Sequence, residues 1–156
     1  MSRPFDTSDM RPRTLASDPR NRPARRMVEA VSGLIDAINR RDADALTIRC
    51  APRVRFTSAV ELRRQTYFGQ NAVRSWMAQL HAAERDGRHP RSRIELARVR
   101  TIDRDTIMVA GDMCIADERI GPFVALVVYE NGLVSSAHAF FGDEHTLDRL
   151  GYAPNL

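Results

Sequence analysis

The chain of 156 residues contains no lysine; all 24 of its basic residues are arginine. That absence excludes chemistry through a lysine Schiff base. A strongly GC-rich coding bias accounts for the arginine usage. Cysteine is scarce too. Cys50 and Cys114 lie far apart and show no metal-ligand spacing, so both are expected to be buried free thiols. No two histidines share a ligand spacing, so no metal site is expected, and no motif calls for a cofactor. No apolar run approaches the roughly 18 residues of a membrane span. The first residues hold no apolar stretch of the signal-peptide kind, which makes a cytoplasmic location the default expectation.

What is present fits one soluble domain. Apolar residues make up 43% and charged residues 28%, which is ordinary for a globular chain of this length. The net charge of +4 is unevenly placed. Residues 1–26 carry seven arginines against three aspartates, whereas residues 27–156 balance 17 against 17. The folded part therefore has no basic excess to meet a phosphate backbone, and no nucleic-acid partner is expected. With four prolines and few large apolar groups, residues 1–26 read as a disordered tail ahead of a domain over 27–156.

Periodicity sets out the domain. Met27, Val31, Leu34, Ile35 and Ile38 recur at helical spacing up to about Arg41. Asp42 is placed to cap a short second helix, which Pro52 ends. Val54–Ser58 alternates as a strand and Glu61–Phe68 returns as its partner. Gly69 breaks the pattern, and Asn71 can cap a third helix bearing Val73, Trp76, Met77 and Leu80. Strands are then expected over Ile94–Ile102, Thr106–Ala116, Pro122–Tyr129 and Leu133–Phe141, with a turn or bulge at Asp117–Gly121. Asn131-Gly132 between the last two is a strong hairpin signal, because both residues tolerate positive φ. Asp143 would cap a closing helix over Glu144–Leu150. Helices first and strands grouped later indicate an α+β fold with an antiparallel sheet covered on one side.

Three segments carry a resemblance. Leu34-Ile-Asp-Ala-Ile-Asn-Arg-Arg-Asp-Ala-Asp-Ala45, Ala51-Pro-Arg-Val-Arg-Phe56 with Tyr67-Phe-Gly69, and Gly132-Leu-Val-Ser-Ser-Ala-His-Ala-Phe-Phe-Gly142 stand in the order found in the nuclear transport factor 2-like superfamily. The chain resembles its SnoaL-like and ketosteroid isomerase-like branch. The resemblance implies a cone-shaped barrel, a curved antiparallel sheet wrapped around helices, with a central cavity. It also places the isomerase machinery. The tyrosine position falls at Leu34, the base at Ser58 and the second acid at Val124 or Ala125, so all three are missing and that mechanism is not expected. Matching the strand Thr106–Ala116 to the isomerases turns its even positions, Met108, Ala110, Asp112 and Cys114, into the cavity.

On that orientation Asp112 is the candidate acid or base. A bulge at Gly111 would turn it outward, and an ion pair to Arg98 or Arg100 would make it structural. His138 is the second candidate, although alternation along its strand points it away from the cavity. Ligand contacts are expected from Leu34, Phe56, Ser58, Tyr67, Trp76, Ile94, Leu96, Ala110, Val124 and Phe141. Two readings follow. One is an isomerase-, cyclase- or lyase-like enzyme moving a proton with Asp112 on a small apolar or cyclic molecule. The other is a non-catalytic ligand-binding or dimerisation module of the same fold. A homodimer through the outer sheet face is expected, built on Ile107, Val109, Met113, Ile115, Val127 and Phe140.

Overall fold

The structure, a computed structural model, describes residues 25–57 and 65–142. The first helix, α1 (Arg25–Asn39), buries Val31, Leu34 and Ile38 of the predicted stripe together with Val28 and Ala37, while Met27 and Ile35 are half-buried against the core. It ends where Arg41 turns to a φ of 57°. The five-residue α2 (Ala43–Thr47) opens on Asp42, whose carboxylate accepts from the Ala45 amide as the sequence implies. Strands β1 (Cys50–Thr57) and β2 (Thr66–Phe68) follow. Pro52 lies inside β1, where the register with a neighbouring strand is interrupted and its missing N–H costs nothing. Helix α3 (Gln70–Arg85) starts one residue before the expected cap. Gly69, at φ 85°, takes the N-cap position in place of Asn71, a conformation that residues with a Cβ rarely adopt.

The rest is strand: β3 (Ser92–Thr101), β4 (Thr106–Ile115), β5 (Glu118–Glu130) and β6 (Leu133–Phe141). Asn131 and Gly132 have φ of 53° and 81°, the pair of positive values that a two-residue hairpin needs. Ala116 and Asp117, at 52° and 65°, make a second such turn. The turn or bulge expected over Asp117–Gly121 is both: β5 begins at Glu118, and the register with β4 shifts between Arg119 and Gly121, leaving Ile120 as the extra residue. The expected helix over Glu144–Leu150, Ser58 and nearly all of the tail lie outside the described residues.

The six strands form one sheet in the order β2-β1-β6-β5-β4-β3. Four neighbouring pairs are antiparallel, as expected, but β1 runs parallel to β6. The antiparallel pairs join strands close in sequence. β1 and β6 stand far apart in the chain, so no hairpin dictates their direction. Helices α1 and α3 cover one face of the sheet and share a core with Phe56, Val109, Met113 and Phe123.

The same core reverses one sequence expectation. Ile107, Val109 and Met113, placed outside by the match to the isomerases, are 0%, 1% and 1% exposed and face the helices. Their even neighbours lie on the other face, where Met108, Val124 and Phe140 form a separate cluster. Alternation has a period of two, so a one-residue slip in an alignment sends every side chain to the wrong side. The composition of β4 held the correct answer. Its odd positions are wholly apolar, and its even positions include an aspartate.

Candidate functional site

An apolar cavity lies between the two long helices and the inner face of the sheet. Leu34, Ile35 and Ile38 enter from α1, Trp76 from α3 and Phe56 from β1. Ile94, Val109, Met113, Phe123, Ala125 and Ala137 complete the wall from β3 to β6. The indole of Trp76 is the centre of its aromatic side. Its ring centroid lies 4.9 Å from Phe56, tilted by 49°, and 6.0 Å from Tyr67. The cavity volume is about 40 Å³. That is room for a few water-sized spheres; pockets for ring-sized ligands run to roughly 300 Å³ and more.

Two polar residues also border this space, Thr57 and His138. The parallel pairing of β1 with β6 sets them side by side. The Thr57 hydroxyl lies 2.8 Å from His138 Nδ1 and 2.8 Å from the Thr66 hydroxyl. Among the described residues no carboxylate lines the cavity.

The proposed ligand residues divide accordingly. Leu34, Phe56, Trp76 and Ile94 line the cavity. Tyr67 reaches it only through its ring contact with Trp76, and Leu96 is packed half-buried against the core. Ala110 and Val124 belong to the opposite face, a correction that follows from the inverted alternation. Phe141 is 49% exposed at the end of β6. Ser58 lies outside the described residues.

Asp112 is buried, but not in the cavity wall. Arg119, across the Ala116–Asp117 turn, donates from Nε to its Oδ1 at 2.9 Å and forms an ion pair with it, Nη2 standing 2.8 Å from the same oxygen. The structural partner is thus Arg119, in place of Arg98 or Arg100. Next to this pair the Cys114 thiol donates to Glu95 at 3.0 Å. Burial, then that bond, push the Cys114 thiol up, while the same bond draws Glu95 down. Cys50 donates to the Leu46 carbonyl, and burial raises it to about 11. Both thiols are free, buried and held in their unreactive protonated form.

Sequence reasoning missed Met113, Val109, Phe123 and Ala125 as cavity residues. Their signal was the purely apolar odd face of β4 together with the matching face of β5. It missed Thr57 for another reason. Its partners are 9 and 81 residues away, and nothing local announces the contact. Three or more His, Cys, Asp or Glu side chains do not converge on a metal-sized site anywhere among the described residues. No helix among them is long and apolar enough to cross a membrane.

No protein family model matches the chain, and no curated protein matches it. Solved structures do. TerC co-crystallised with polyporic acid superimposes with a TM-score of 0.59 at 14% identity, over 82% of this chain and 99% of that one. A provisionally assigned polyketide cyclase from Xanthomonas campestris pv. campestris gives 0.59 at 14% identity, covering 75% and 90%. A nuclear transport factor 2-like protein of unknown function from Burkholderia pseudomallei gives 0.58 at 20% identity, covering 79% and 95%. The fold is therefore the nuclear transport factor 2-like α+β cone, in the form shared by SnoaL-like cyclases and ketosteroid isomerase-like proteins.

Proposed function

We propose that this protein binds a small apolar molecule in the cavity beside Trp76, as a binding module. The observation that carries the reading is the wall itself, apolar on every strand and helix that contributes to it. Burying apolar surface there is favourable by about 25 cal/mol per Å². Support also comes from TerC, whose structure was obtained with the cyclic compound polyporic acid. The cavity volume of about 40 Å³ means that side chains must part to admit a ring. A proton-transfer role for Asp112 has no support, because its carboxylate is held by Arg119 away from the cavity wall.

His138 is given no proton-transfer role: it stands between Ala137 and Ala139 of the core and opposite Leu126 of the outer cluster, so alternation turns its side chain from the cavity. The same proposal includes a homodimer through the outer sheet face. On that face Met108, Val124 and Phe140 are already buried in the single chain, so the apolar surface it offers is the half-buried rim of Ile102, Ala110 and Leu126. Of the residues first assigned to that role, Ile107, Val109, Met113 and Val127 are core, Ile115 is half-buried, and Phe140 belongs to the outer cluster. Sedimentation at micromolar concentration tests it, and a monomer alone would remove it.

Binding itself is tested with the chain's single tryptophan. Titration with apolar rings of increasing size should change Trp76 emission saturably. No saturable change with any of them would end the proposal.

A further inference from the structure

A second hollow lies at the surface, between the first turns of α1 and the loops that join β3 to β4 and β5 to β6. It shares no residue with the central cavity, and its volume is about 550 Å³ where the cavity has about 40 Å³. A ring-sized molecule therefore enters it without displacing packed side chains. Its lining is of another kind too. Met27, Ala30 and Tyr129 supply half-buried apolar surface, and Arg26, Arg104 and Asp105 supply charge.

Arg26 and Arg104 are far apart in the chain and meet only at this groove. Neither has a hydrogen bond or an ion pair among the described residues. Arg25, beside Arg26, is paired with Glu29, and Arg93, on the strand that leads to Arg104, with Glu95. The loop under Arg104 is fixed. The Ile102 amide donates to the Thr106 carbonyl at 2.9 Å, the Asp105 amide to Asp103 Oδ1 at 2.9 Å, and the Tyr129 amide to the Asp105 carbonyl at 2.8 Å. A loop ordered before its ligand arrives lowers the entropy cost of binding.

Two arginines and one aspartate leave the groove a single net positive charge, which matches a monoanion; a phosphate dianion would bring a second negative charge toward Asp105. Residues 1–24 of the chain hold five arginines and three aspartates, so they offer no net negative charge to meet it. We infer that this groove binds a cyclic or aromatic carboxylate, its anionic group between Arg26 and Arg104 and its ring over Met27, Ala30 and Tyr129. The inference does not rest on the binding function of the central cavity.

The test uses benzoate and benzamide, close in shape and different in charge, titrated into the full chain and followed by amide NMR. Benzoate should shift the Arg104, Asn131 and Gly132 signals saturably, and benzamide should not. Arg26→Gln and Arg104→Gln should each weaken benzoate about two- to fivefold, the range of an exposed ion pair, and added salt should weaken it further. Both side chains are exposed, so the variants should fold as the wild type does. Arg53→Gln removes the same charge outside the groove and should leave binding unchanged. Benzamide moving the same signals equally, or Arg53→Gln weakening benzoate as much as the groove variants, overturns the inference. So does benzoate that moves only the Trp76 indole signal, which places it in the central cavity, or that moves no signal saturably.

Discussion

Arg119 holds Asp112 by an Nε hydrogen bond of 2.9 Å and an ion pair with Nη2 2.8 Å from the same carboxylate oxygen, and so turns the acid of β4 into a brace for the Ala116–Asp117 hairpin. Asp112 is nearly buried at 7% side-chain exposure, while Arg119 is 60% exposed, so solvent screens the pair. Asp112→Asn keeps the acceptor and loses the charge. It should destabilise the fold by only about 1 kcal/mol. Binding of apolar ring compounds should be unchanged, since the residue does not line the cavity. Urea denaturation and NMR titration check both; a loss of ligand binding without unfolding would return Asp112 to the site.

A deeper ion pair ties the helices to the sheet. Arg41 donates to both oxygens of Glu84 at 2.8 Å and 2.6 Å, and to the Ser92 carbonyl at 2.6 Å. The two side chains are 1% and 4% exposed. Glu84→Gln leaves the guanidinium buried without its counter-charge and should cost about 3 kcal/mol or more, read as a lower thermal midpoint.

Glu84 also gives the fold an acid limit. Burial raises its pKa, but the Arg41 bond, the Ser92 amide and neighbouring arginine charge outweigh it, and the net shift is down from 4.5. A carboxylate lowered in the folded state contributes stability that is fully present above its unfolded value. That stability is lost as pH falls through the folded one. The thermal midpoint should therefore hold from pH 7 to about 5 and decline below about 4.5, less steeply in Glu84→Gln. An equal acid decline in both proteins would assign it to other carboxylates, such as Glu95.

The close approach of β3 to β4 predicts a sharp contrast between two glycines. A Cβ at Gly111 would stand 2.0 Å from the Glu95 carbonyl oxygen and 2.9 Å from the Phe123 ring. Backbone cannot yield, so Gly111→Ala should cost about 3 kcal/mol or prevent folding. At Gly33 the obstacle is the Arg49 guanidinium at 2.7 Å, a flexible side chain that can swing away. Gly33→Ala, in mid-helix, should be within about 1 kcal/mol of neutral. Chemical denaturation of the two variants separates them.

Room in the cavity should trade against stability. Met113 is 1% exposed and lines the wall. Met113→Ala should cost about 2–5 kcal/mol and tighten binding of ring compounds, because the added volume spares them the displacement of packed side chains. Calorimetric titration with methylenecyclopentane measures the gain. Weaker binding in a folded variant would place the ligand elsewhere.

Much of the fold could be read locally, because its determinants are local. The stripe on α1, the Asp42 cap and the positive φ values at Asn131-Gly132 each depend on residues within one or two turns of chain. Leu34, Phe56, Trp76 and Ile94 could be placed at the cavity for the same reason, since each lies on the apolar face of its own element. The orientation of β4 was decided otherwise. An alignment slipped by one residue outweighed the plain reading of its apolar positions, and Asp112, Ala110 and Val124 went to the wrong side together.

By itself, then, the sequence determined the elements, their hairpin turns, the arginine-only charge and the absence of the isomerase's three polar groups, all properties of neighbouring residues. Tertiary structure alone decided that β1 runs parallel to β6, and with it the meeting of Thr57 and His138. It alone chose Arg119 for Asp112. Each of these depends on which distant strands and helices pack together, and side-chain period carries no record of a neighbour's identity.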